Sequence, residues 1–275
     1  YEVERQVYNG MINRFPAAIV KCRDVADVIA CVNFCREKNI LTAIRGGGHN
    51  AGGLGLCDDG LVIDLSLMKG MRIDQKENTI RAEGGCLLGD MDHATQPFGK
   101  AVPTGILSTT GISGLTLGGG VGHLSRAYGL SIDSLIEADV VLANGKLVTA
   151  SEKENSDLFW AIRGGGGNFG VVTSFLFRLH DAGTVYGGPM LWHMEDAEEM
   201  MKYYRDFILK APKEIYCYFA FLTVPPVPIF PEELHLKKMC GLVWCNVGGL
   251  EQAQRPVVQF RKFKKPALDY VGPIP

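Results

Sequence analysis

Three groups of residues in this chain have the types and spacing to do chemistry. Arg45-Gly46-Gly47-Gly48-His49-Asn50 sets one histidine at the end of a glycine run, directly after the apolar residues 40–44. Further on come Pro103-Thr104-Gly105, Thr109-Thr110-Gly111, Gly114 and the cluster Gly118-Gly119-Gly120-Val121-Gly122. A third group, Gly170-Val171-Val172, closes a second glycine run that begins at Gly164. Glycines at this density let the backbone approach a ligand and aim successive N–H groups at an anion. Threonine hydroxyls beside them can donate to phosphate oxygens, and a histidine in the loop is held against whatever the amides grip. Taken alone, His49 is equally a neutral histidine capping a turn, and glycine-mediated packing between subdomains is the lesser alternative for the second cluster.

Familiar phosphate and metal motifs do not account for these residues. Residues 165–170 match G-x-G-x-x-G, but they follow a helical pattern and precede a strand, the reverse of the dinucleotide fingerprint. No G-x-x-x-x-G-K-[S/T], H-E-x-x-H or C-x-x-C occurs, so neither a P-loop nor a zinc site is expected, and no metal is assigned.

The elements that must position these groups can be read from periodicity. Asp24 reads as an N-cap, with Val25, Val28, Ile29, Val32 and Cys35 at helical spacing and an end near Asn39. Residues 40–44, 61–65 and 79–82 read as strands, and 85–96 as a helix stopped by Pro97-Phe98-Gly99. Two strands, 138–143 and 146–149, flank Asn144-Gly145, which predicts a hairpin with a type I′ turn. A short helix over 157–163 leads to a strand over 171–177. Beyond His180 the glycine loops give way to an amphipathic helix over 195–209 and apolar strands over 215–223 and 239–247. The alternation predicts an α+β or mixed α/β fold with domains at 1–182 and 183–275, and no helix or strand is expected to close the second unit.

Composition limits the function classes. The 275 residues can bury a large core, and 34 glycines exceed the usual ~7% without low complexity, which suits tight loops around a ligand. A net charge of −2 with scattered basic residues gives no electrostatic case for nucleic acid. No apolar stretch approaches the ~20 residues that span a bilayer, so no membrane partner is expected. Eight cysteines without a disulfide-like framework, mostly beside apolar neighbours, suit reduced thiols and a cytoplasmic location.

In combination the motifs are far more specific than any one of them. In order run Arg-Gly-Gly-Gly-His-Asn, a Val-Ile-Asp-Leu strand, Pro-Thr-Gly, Thr-Thr-Gly-Ile-Ser-Gly-Leu-Thr-Leu-Gly-Gly-Gly-Val-Gly, Arg-x-Tyr-Gly-Leu, an Asp-Val-Val strand and Phe-Trp-Ala-Ile-Arg-Gly-Gly-Gly-Gly-Asn-Phe-Gly-Val-Val-Thr. This series resembles the berberine-bridge-enzyme-like FAD-linked oxidases of the vanillyl-alcohol-oxidase superfamily, most densely between residues 45 and 175. The resemblance implies a PCMH-type FAD-binding domain of two α+β subdomains. An incomplete substrate domain with an antiparallel sheet and helices would follow it, completed by a missing segment or a partner chain.

The resemblance also implies roles. Arg45, Gly46, Gly47, Gly48, His49 and Asn50 would meet the FAD diphosphate, with His49 bonded to the flavin. Pro103, Thr104, Gly105, Thr109, Thr110, Gly111 and Gly114, then Gly119, Gly120 and Gly122, would line the other side of the cofactor. Gly170, Val171 and Val172 would reach the adenosine half through main-chain groups. Many relatives carry a cysteine two residues after the Gly of Pro-x-Gly; here that position is Leu107, so a single covalent link is expected. The implied reaction moves hydride from a C–H next to oxygen or nitrogen of a small substrate to the flavin, with dioxygen reoxidising it to give hydrogen peroxide. Two alternatives stay open: an inactive flavin-binding module, and a dehydrogenase using another acceptor. No general base stands out; His123 and Tyr128 are weak candidates, each with a competing packing role. Trp192, His193, Tyr216 and Tyr218 are candidates for a substrate pocket against a default of core burial, and His93 and His235 are expected at the surface.

Overall fold

Strand formation begins where β-branched residues can pack on both faces, and the first sheet is small and parallel. The computed structural model describes residues 1–274. β1 (Ala18–Lys21) and β2 (Thr42–Arg45) both pair in parallel with the fully buried β3 (Leu61–Asp64), giving the order β1-β3-β2. Between β1 and β2 runs α1 (Val25–Lys38), whose Asp24 carboxylate accepts the Asp27 amide at 3.1 Å. Its last turn stops at Asn39 in the left-handed conformation, φ 53°. The register aligns Lys21, Asp64 and Arg45 at the carboxyl ends of the three strands.

A five-stranded antiparallel sheet forms the second layer. It is built from β4 (Met71–Asp74), β5 (Thr79–Glu83), β7 (Leu135–Val141), β8 (Leu147–Ser151) and β9 (Val171–Arg178), in the order β4-β5-β9-β7-β8. Helices α2 (Leu88–Thr95), α3 (Ile112–Leu117) and α5 (Ser156–Gly165) share its core of Ile80, Phe159, Ile162, Phe175 and Phe177. A short strand β6 (Lys100–Ala101), the single turn α4 (Ser125–Tyr128) and β10 (His180–Asp181), which pairs with β6, complete this unit.

Two compact units divide between Asp181 and Ala182. In the second unit β11 (Val185–His193) is the central strand. It pairs with β13 (Lys238–Asn246) on one side and with β14 (Leu268–Asp269) and β15 (Gly272–Ile274) on the other, while β12 (Cys217–Thr223) lies outside β13. α6 (Ala197–Ile208) and α7 (Leu250–Phe263) share a core with the sheet through Met200, Trp192, Trp244, Val257 and Phe260.

The structure departs from four expectations. The helix expected from residue 85 starts at Leu88, because Leu87 is held extended in a β-bridge to Gly111. The Asn144-Gly145 turn is not type I′. Only Gly145 has positive φ, at 79°, and Leu142 exchanges hydrogen bonds with both Gly145 and Lys146, which makes a three-residue loop with the left-handed position on glycine. α7 went unanticipated because Pro256 lies inside it; its stripe of Ala253, Pro256, Val257 and Phe260 buries at helical spacing all the same. And β14 and β15 do close the second sheet, where no terminal strand was expected.

Candidate functional site

The carboxyl ends of the parallel strands, where ligands collect in open α/β sheets, lead directly into the first glycine loop. Its entry is fixed by a buried ion pair: the Arg45 guanidinium reaches the fully buried Asp64 carboxylate at 2.5 Å and also donates to the Glu4 carbonyl. Arg45 therefore spends its side chain inward, on the loop's own anchorage. The loop then runs against residues 110–111 at backbone contact. A Cβ on Gly47 would stand 2.2 Å from the Gly111 nitrogen, so only glycine allows the approach. Among the described residues, the amides of Gly46, Gly47, Gly48, His49 and Asn50 meet no protein acceptor. A cavity of about 350 Å³ opens beside them, lined by Gly46, Gly47, Gly48, Ser66, Lys69 and Thr109 among others.

His49 is held on three sides. Its Nε2 lies 3.0 Å from the Thr109 hydroxyl and its Nδ1 3.2 Å from the Thr110 hydroxyl. The Tyr8 ring stacks on the imidazole with centroids 4.2 Å apart and planes 17° off parallel. Tyr8 was missed at the sequence level. The only signal was the turn-like Tyr8-Asn9-Gly10 in a segment without periodicity, and nothing local ties it to a loop forty residues away. In the fold, the Tyr8 amide donates to the Gly48 carbonyl at 3.1 Å and the Asn9 side chain to the Ala51 carbonyl at 2.8 Å. Lys21 and Lys69, also at the cavity, are paired with Glu4 and Asp90.

The remaining expected residues fall into separate environments. Thr109, Thr110 and Gly111 join the first loop, whereas Asn50 turns its side-chain oxygen to the Leu54 amide. Leu107 is exposed, with its carbonyl accepting the Thr110 amide. Pro103 and Thr104 are buried; the Pro103 carbonyl accepts the Ser131 hydroxyl, and Gly105 packs on Leu115. Gly114 faces open space on α3. In the second cluster the amides of Gly118 and Gly119 bond to α3 carbonyls and that of Gly122 to the Ser125 hydroxyl, while the Gly122 backbone abuts the Thr104 carbonyl. Gly170 and Val171 line a second cavity of about 440 Å³ together with Thr42, Ile44, Asn168 and Phe169. Val171 and Val172 are both buried, and of the two only Val171 borders that cavity. The two cavities meet β2 at successive residues, Ile44 and Arg45.

Both base candidates are half-buried. His123 is held below the ordinary histidine pKa by burial. Tyr128 stacks on His180 at 4.6 Å and donates its hydroxyl to the Asp181 carbonyl. In the second unit Trp192 is buried, with its indole N–H donating to the Lys264 carbonyl at 3.1 Å. His193 is exposed, Tyr216 and Tyr218 are half-buried with their rings 6.3 Å apart, and burial raises the Tyr216 phenol. His93 is exposed, while His235 is half-buried against the Phe230 carbonyl.

Taken together, the first loop offers amides without acceptors, a neighbouring cavity and an oriented imidazole. That set suits a ligand carrying a diphosphate next to a group that a ring nitrogen can reach. Residues 16–151 match a family model described as an FAD binding domain. The chain is 35% identical over 263 residues to an FAD-linked oxidoreductase of Dictyostelium discoideum, covering 94% of this chain and 54% of that protein. The crystal structure of 6-hydroxy-D-nicotine oxidase from Arthrobacter nicotinovorans superposes with a TM-score of 0.89 at 29% identity, covering 99% of this chain and 59% of the other. BBE-like 1 of Physcomitrella patens gives a TM-score of 0.85 at 30% identity, covering 97% and 57%. The chain thus spans little more than half the length of each of these proteins.

Proposed function

The chain belongs to the berberine-bridge-enzyme-like FAD-linked oxidoreductases, and on that premise we propose that its first unit holds FAD, bonded through His49, in an oxidase acting on a small organic substrate. The observation that carries this reading is the run of amides at residues 46–50 without protein acceptors, next to an imidazole fixed by two hydroxyls.

Each residue then has a physical task. The amides supply donors to a diphosphate, where a charged acceptor makes hydrogen bonds stronger than neutral ones. The buried Arg45–Asp64 pair keeps the loop from collapsing into the cavity that the ligand needs. Gly47 and Gly111 hold the two loops at backbone distance, which brings Thr109 and Thr110 to the histidine. Bound FAD would supply the acceptor for hydride from a C–H next to oxygen or nitrogen, and dioxygen would take the electrons on to hydrogen peroxide. Leu107 offers no thiol, so His49 is the single attachment point. No residue described here is assigned as the substrate's base.

Acid precipitation of the full-length protein tests the link: the pellet should stay yellow, and His49→Ala should release the colour into the supernatant while still binding FAD reversibly. A colourless wild-type pellet refutes the covalent link. Peroxide formation on a panel of sugars, aromatic alcohols and cyclic amines tests the oxidase assignment; turnover seen only with an artificial electron acceptor would instead make the protein a dehydrogenase.

A further inference from the structure

Resting on that reading of His49, we infer that Tyr8, Thr109 and Thr110 are positioning residues that fix the plane and the proton of the His49 imidazole for flavin attachment. A neutral imidazole carries one N–H and one lone pair, and a hydroxyl can serve either. Both ring nitrogens have such a partner, at 3.0 and 3.2 Å. Only one nitrogen can take the flavin carbon, and the threonine at that nitrogen gives way. The other threonine accepts the N–H that remains, which keeps the attacking nitrogen's lone pair free and its direction set. The bond replaces one C–H of the flavin methyl group. That hydrogen and the imidazole N–H leave as protons, the two electrons stay in the flavin ring, and dioxygen removes them.

Tyr8 supplies what the hydroxyls do not. Two hydrogen bonds in the ring plane leave the ring free to tilt out of it, and a stacked phenol 4.2 Å away opposes that tilt. The stacking residue is itself tied on both sides of the histidine, through its amide to Gly48 and through Asn9 to Ala51. Residues 8 and 9 are therefore part of the attachment site. A merely structural role for these contacts would lower stability without altering attachment, so the two can be told apart.

The test follows attachment with time after FAD is added to the flavin-free full-length protein, reading acid-stable flavin alongside reversible FAD affinity and thermal unfolding. At saturating FAD the double variant T109V/T110V should attach flavin about tenfold more slowly than wild type, the loss expected for one orienting hydrogen bond, whatever its reversible affinity. T109S/T110S should restore the rate. Tyr8→Ala should slow attachment and Tyr8→Phe should not. Unchanged rates in both T109V/T110V and Tyr8→Ala overturn the inference while leaving the His49 link intact. Absence of acid-stable flavin in wild type, or its persistence in His49→Ala, removes the link and the inference together. If the double variant does not fold, the ¹⁵N shifts of the His49 ring in flavin-free wild type decide: one dominant tautomer supports the inference, and an even mixture overturns it.

Discussion

The loop at residues 45–50 and the cluster at 118–122 are both rich in glycine, yet the fold uses them differently. In the first, the amides of Gly46, Gly47 and Gly48 face no protein acceptor and a cavity lies beside them. In the second, the amides of Gly118, Gly119 and Gly122 are already bonded within the chain, and Gly122 presses on the Thr104 carbonyl. A glycine run is thus a permission for close approach, and the partner that approaches can be a ligand or another stretch of backbone. What separates the two is how many main-chain donors are spent among the described residues: none of the five amides at residues 46–50 and three of the five at 118–122.

Breaking the second cluster should have the largest effect. A Cβ on Gly122 would lie 1.7 Å from the Thr104 oxygen, so Gly122→Ala should cost roughly 3 kcal/mol or more of stability in chemical denaturation. Next in size is the response to ligand. FAD at about a hundredfold over its Kd should stabilise the flavin-free protein by about 2.7 kcal/mol through mass action. Hydrogen exchange should then slow at residues 46–50 and change little at Gly118, Gly119 and Gly122; equal protection in both places would erase the contrast. Gly46 sharpens it further. Its Cβ would sit at an ordinary 3.5 Å from the Gly84 oxygen and Ser113. Gly46→Ala should therefore shift stability by no more than about 1 kcal/mol in the same assay. The smallest effect concerns His123, just past the second cluster. Burial lowers it from the ordinary 6.5, so the unfolded chain takes up a proton that the folded chain refuses. Stability should then fall as pH drops below about 6.5 and level off below the folded value. Unfolding midpoints between pH 7.5 and 5 check the sign, and His123→Gln should flatten the slope.

Much of this site was legible before any coordinates because its chemistry is local. Residues 46–50 present consecutive amides without a protein acceptor, and Asp24 and Asn39 mark the ends of α1 through short-range hydrogen bonds. Other features were hidden for stated reasons. Pro256 masked a helix whose tertiary stripe outweighs the lost hydrogen bond, and Asn144-Gly145 suited both a two-residue turn with two left-handed residues and the three-residue loop with only its glycine left-handed.

By itself the sequence determined which loops could receive an anion, which family's motifs the chain carries and where most strands and helices run, since these follow from side-chain size, backbone freedom and periodicity over a few residues. Only the tertiary structure decided which glycine cluster keeps its donors free, that Arg45 turns inward to Asp64, and that Tyr8, Thr109 and Thr110 converge on His49. The last two of those outcomes depend on contacts between residues 19 to 61 positions apart in the chain. No spacing rule reports such contacts, because chain separation is closed by packing and not by local conformation.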